Sequence, residues 1–191
     1  MKMWRREDGF TLVELTIVIT ILGIIISIAT LSYSNISKAM NLNGALKQVE
    51  AAMNRAKLSA RQENVKYQLV FYTDSSGANA NTYEFVHDVY NPVADTWTMT
   101  PVDRSVSGEE VSVSGGHAYI KVANGVKIAG CTEILGSQII VNFAPAGTTM
   151  AVLGSDNPGG GNTSATVTLN LLSVDRTGSV SINAIGTITV P

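Results

Sequence analysis

GFTLVE, residues 9–14, followed by LTIVITILGIIISIATL, residues 15–31, decides how this chain is built. Residues 15–31 carry no charge. A helix over them spans about 25 Å, and adding Phe10–Glu14 brings it to the thickness of a bilayer core. Glu14 interrupts the run near its start. An acid in hydrocarbon costs about 2.5–3.5 kcal/mol on insertion scales, so Glu14 calls for a partner. Ahead of the run, Lys2, Arg5 and Arg6 stand against Glu7 and Asp8. Bases just before an apolar segment predict that this end stays in the cytoplasm and that everything after the segment lies outside. An ordinary secretory signal is cut behind its apolar region. Here the well-placed site, Gly9–Phe10, precedes it, so cleavage would remove the leader and keep the helix. The cut would also create an α-amino group on Phe10, positive at neutral pH, about 6 Å or one helical turn from Glu14. In a low-dielectric bundle such an ammonium and carboxylate attract strongly, and either one alone is costly.

Leader charge, glycine, phenylalanine and acid at this spacing resemble the processing site of type IV pilins and type II secretion pseudopilins. The resemblance covers roughly the first 30 residues. It implies a prepilin peptidase that cuts after Gly9 and N-methylates Phe10. It also implies that Glu14 of one subunit pairs with the Phe10 amine of a neighbour and sets the stagger of a filament. An intramolecular Phe10–Glu14 pair is the alternative. Gly23, in mid-run, marks a soft point or a close helix–helix approach. No proline precedes Pro92, so no proline kink is expected.

The 191 residues divide into a leader (1–9), a transmembrane or filament-core helix (10–31), an amphipathic continuation (32–63) and a β-rich domain (64–191). After residue 31, ten Lys and Arg face twelve Asp and Glu. That near-neutral balance argues against a strongly nucleic-acid-binding surface. Cys131 is the sole cysteine, which rules out an intramolecular disulfide and reads as a buried small hydrophobe.

Past the polar stretch SYSNIS (32–37), Leu42, Leu46, Val49, Met53, Ala56 and Ala60 recur at alternating steps of four and three, one apolar stripe down a helix. A nearly continuous helix over 11–62 is predicted. From Val65 the period becomes two, and strands are expected at 65–72, 82–90, 96–102, 109–113, 117–122, 138–143, 148–153 and 165–174, with a closing hairpin over 179–190. Asn124-Gly125 signals a tight turn, and 154–164 a mobile glycine-rich loop. The fold class is therefore α+β: a long N-terminal helix packed on an antiparallel, pilin-like β-domain, expected as a sandwich of two sheets. Tyr33, Tyr67, Phe71, Tyr72, Tyr83, Phe85, Tyr90 and Trp97 mostly suit alternating core positions.

A second resemblance runs through the globular half. NRAKLSARQENVKYQLVF (54–71), VNFAPAGTT (141–149) and DRTGSVSI (175–182) are similar to the H-type minor pseudopilins of type II secretion, although Gly178-Ser179-Val180 lacks that family's usual basic residue. The resemblance implies a structural subunit in the inner membrane and then a periplasmic filament. Its partners would be the peptidase, other pilins or pseudopilins, a cytoplasmic ATPase and a platform membrane protein. A pilus or DNA-uptake pilin is the alternative, with Arg104, Lys121, Lys127 and Arg176 as the available bases.

No catalytic constellation is expected. His87, His117, Asp88, Asp175 and Cys131 lack any H-x-x-x-H, C-x-x-C or G-x-S-x-G spacing. Asp156 and Asn162 offer too few carboxylates for calcium, which takes six to eight oxygens. Glu109-Glu110 reads as solvated charge. No metal, cofactor or small-molecule substrate is anticipated.

Overall fold

The computed structural model describes residues 10–73, 76–91, 96–131, 138–145, 149–154, 166–173, 176–183 and 185–190. Gly9, Asp175 and residues 155–164 of the glycine-rich loop lie outside them. Two compact units divide at Ser37 and Lys38. One helix, α1 (Leu12–Glu63), contributes to both.

In the first unit the helix is apolar on every side, and the side chains from Phe10 to Ile28 face outward. Thr16, Thr20, Ser27 and Thr30 turn their hydroxyls back onto carbonyls three or four residues earlier. A polar group so satisfied can stand in an apolar environment without an unpaired donor. Gly23 lies within regular helix, with open space where a Cβ would stand. Tyr33, assigned to a core position from the sequence, is 75% exposed. It sits on the helix ahead of the buried stripe that begins at Leu42.

The second unit begins with the amphipathic stripe. Leu42, Leu46, Val49, Met53, Ala56 and Ala60 are all buried, together with Ala45 and Ala52. The helix ends at Glu63 with Asn64 in the left-handed region (φ 55°), and the chain enters the sheet within three residues. Strands β1 (Tyr67–Tyr72), β2 (Thr82–Asn91), β3 (Thr96–Val102), β4 (Val111–Ser114), β5 (His117–Lys121), β6 (Val126–Cys131), β7 (Gln138–Phe143), β8 (Thr149–Gly154), β9 (Thr166–Ser173), β10 (Arg176–Asn183) and β11 (Ile188–Thr189) follow. All pairings are antiparallel. One sheet runs β4-β5-β2-β1-β7-β8, with β3 also on β2; the other runs β11-β10-β9-β6.

Both sheets and the helical stripe close a single core. Tyr67, Leu69, Phe71, Tyr83, Phe85 and Phe143 enter it from the larger sheet, and Ile128, Leu169, Leu171, Val180 and Ile182 from the smaller. The opposite face of the larger sheet carries its own cluster, Val70, Tyr72 and Val86, so β1 is buried on both sides. That explains why its sequence, YQLVFY, alternates poorly.

The chain between β5 and β9 adds to the sequence reading. Strand β6 was not predicted, because KIAGC contains a glycine; Gly130, at φ 135°, sits at a register shift against β9. Asn124-Gly125 does turn the chain, with Gly125 at φ 77°, but β5 and β6 join different sheets. The turn is a crossing between sheets instead of a hairpin. Asn41 of α1 donates to the Asn124 carbonyl at 3.2 Å. Gly178 marks a close helix–sheet approach, since a Cβ there would lie 2.7 Å from Leu46 Cδ1.

Candidate processing and assembly site

Glu14 occupies the third position of α1, and its carboxylate is already engaged. Its Oε2 accepts the Thr11 backbone N–H at 2.9 Å and the Thr11 hydroxyl at 3.0 Å. In return the Glu14 N–H donates to Thr11 Oγ1 at 3.2 Å. This is a reciprocal cap. The first amides of a helix lack intrahelical acceptors, and a Thr-x-x-Glu pair satisfies two of them. The acid in the apolar run therefore has a partner inside its own chain, which the sequence reading did not identify. The signal was present: Thr11-Leu12-Val13-Glu14 directly precedes the uncharged segment. Phe10, just outside the cap, is 90% exposed. Gly9, on the other side of the expected cut, lies outside the described residues.

Behind the cap, α1 is long and apolar enough to cross a membrane. Residues 4–30 match the family model of the prokaryotic N-terminal methylation motif. The N-terminus is type IV pilin-like. The match takes in residues 4–9, the Gly9–Phe10 pair, the Thr11–Glu14 cap and the exposed helix as far as Thr30. It does not distinguish a pseudopilin from a pilus subunit. No curated protein and no solved structure matches the chain.

Among the described residues of the second unit, two networks gather its buried carboxylates. In the first, Arg55 reaches the Arg104 carbonyl and the Glu109 carboxylate, and Glu109 also accepts from Tyr83 Oη (3.0 Å) and the Val106 N–H (2.8 Å). Arg104 in turn meets Glu63 and Tyr67. Loop 103–110 is thereby pinned to the last third of α1. Glu109, expected to be solvated, has a side chain only 9% exposed. Burial, then the adjacent Glu109 carboxylate, pushes the Tyr83 phenol up from its ordinary pKa.

In the second network Glu84, 3% exposed, accepts from Tyr72 and lies 2.7 Å from His117 Nδ1. Burial and the Glu84 contact push the Tyr72 phenol up as well. The two histidines thus go to separate carboxylates, since His87 Nδ1 stands 3.7 Å from Glu63. Among the described residues, no three His, Cys, Asp or Glu side chains gather to hold a metal. The backbone of Cys131 ends β6, and its side chain lies outside the described set. Of the bases considered for nucleic acid, Arg104 is paired with Glu63 and Lys121 with Glu110.

Proposed function

We propose that this chain is a minor pseudopilin of a type II secretion pseudopilus. In this reading a prepilin peptidase cuts between Gly9 and Phe10 and methylates the new amine. The apolar half of α1 waits in the inner membrane with the β-domain outside. Assembly then moves that helix from lipid into a bundle of like helices, where packing and a buried charge pair replace lipid contacts. The other pseudopilins of the bundle, the peptidase, an ATPase and a platform membrane protein are its partners. No substrate is turned over.

The observation that carries this reading is the methylation motif on a helix whose apolar sides are entirely exposed. Such a helix requires either lipid or other helices around it. The H-type assignment draws on the passage from α1 straight into β1 and on β10 opening at Arg176-Thr177-Gly178. Arg104 and Lys121, two of the four bases available for a DNA backbone, are already paired with carboxylates, which counts against the uptake-pilin alternative.

The internal cap changes how Glu14 is tested. Gln serves a capping box as well as Glu does, but has no charge. Glu14→Gln should therefore keep the helix start, be processed normally, and enter filaments poorly. Normal entry of this variant would reduce Glu14 to a cap and remove the inter-subunit pair. For the cleavage itself, mass spectrometry of membrane-extracted protein should find N-methylated Phe10 as the first residue, and Gly9→Ala should leave the uncut precursor. An intact Met1 in wild-type protein would end the pseudopilin reading.

A further inference from the structure

Strand β3 is an unguarded edge. It pairs only with β2, and among the described residues no strand lies along its other side. Natural edges are usually blunted by charge, proline or short length. Thr96–Val102 is seven residues long, carries no charge, and has its single proline at the penultimate position. Thr98, Met99 and Thr100 are all exposed. The register between β1 and β2 stops at Tyr67 opposite His87, so beyond that point β2 and β3 form a ribbon of two strands. Two strands alone are marginal in water, and a third neighbour stabilises them.

The backbone bonding fixes which groups this edge offers. Asp88 N–H donates to the Lys66 carbonyl at 2.9 Å, which turns the even-numbered residues of β2 toward β1. The odd-numbered ones face β3. Through the pairs His87–Thr100, Val89–Thr98 and Asn91–Thr96, the threonines of β3 bond inward. Trp97 and Met99 therefore present their N–H and C=O groups outward.

The segment Thr96-Trp97-Thr98-Met99-Thr100 reads nearly the same in both directions. We infer that the β3 edge pairs antiparallel with β3 of a second copy of this chain, about a two-fold axis through Thr98. Thr96 then stands opposite Thr100, Trp97 opposite Met99, and Thr98 opposite itself. Trp97 and Met99 exchange the outward hydrogen bonds, and no like charges meet on the axis. Threonine facing threonine is a favourable cross-strand pair. An isologous contact closes on itself, so it consumes both free edges and does not propagate. This inference stands independently of the filament reading, because it uses only the β-unit.

Cysteine cross-linking in membranes bearing the full-length chain tests it, in a Cys131→Ser background. Thr98–Thr98 is a pair without mutual hydrogen bonds, with Cα atoms about 4.5 Å apart, inside the range a disulfide accepts. Two copies of Thr96 would be about 13 Å apart, outside that range. On oxidation, Thr98→Cys should give a disulfide dimer at least about tenfold more abundant than Thr96→Cys or Thr100→Cys alone. Mixing differently tagged Thr96→Cys and Thr100→Cys chains should restore the link, as a heterodimer. A monomeric Thr98→Cys, or equal dimer from all three single variants, would overturn the pairing. Thr98 and Thr100 are exposed, and limited proteolysis of each variant checks that the domain is folded.

Discussion

The two halves of α1 use the same helix for opposite ends. Residues 12–30 are apolar on every side and exposed, whereas from Leu42 to Ala60 the apolar residues form one stripe and that stripe is buried. The side chains of the first half are exposed, so its energetics belong to a solvent or partner outside the chain. The second half has its partners built in. Substitutions should therefore separate cleanly: those in 42–60 act on the β-unit's stability, and those in 12–30 act on anchoring and assembly.

The sharpest test is a matched pair. Met53→Ala, at a fully buried site, should destabilise the β-unit by about 2–5 kcal/mol. Ile21→Ala, half exposed in the first unit, should leave its thermal unfolding unchanged. Equal shifts from both would break the comparison. Next comes Arg55→Ala, which strips the cation from the nearly buried Glu109 and should cost about 1–3 kcal/mol, read by chemical denaturation. Tyr83→Phe added to it should recover little, because the carboxylate remains the unpaired group.

Gly178→Ala should cost about 1–3 kcal/mol by pressing on Leu46, and Leu46→Ala should cost less in that background than alone. Additive effects would mean that the two sites do not touch. Alkaline titration follows. The Tyr72 and Tyr83 phenols have raised pKa values, so the folded state holds their protons more tightly than the unfolded chain. Their contribution is fully present below about pH 10, the unfolded phenol's value, and is lost as pH rises toward the folded values. Tyr72→Phe with Tyr83→Phe should flatten that alkaline decline. The smallest effect belongs to Thr11→Ala. It should fray only the first turn, seen as faster amide exchange at Leu12–Glu14 in micelles, with the β-unit unmoved.

Much of this was readable from residue order. Steps of three and four along Leu42–Ala60 specify which face of the helix is buried, whatever it meets. Alternation in TYEFVHDVY marks β2, and Gly115-Gly116, both at positive φ, close a two-residue hairpin between β4 and β5. The processing motif was legible because it is local: a charge pattern, a glycine and an acid within a dozen residues. The Thr11–Glu14 cap is equally local, a Thr-x-x-Glu signal four residues long.

What stayed hidden depended on contacts far apart in sequence. Nothing near Glu109 announces that Arg55 and Tyr83 will surround it, and nothing near Glu84 announces His117, 33 residues on. Asn124-Gly125 encodes a turn but not which sheet receives the next strand. Residue order by itself therefore determined the helix, its two-part character, the N-terminal methylation motif and the alternating strands. Each of these follows from periodicity or spacing over one or two turns. Only the tertiary structure decided the sheet order, the burial of polar groups and the free β3 edge, because main-chain pairing and long-range packing are indifferent to sequence distance.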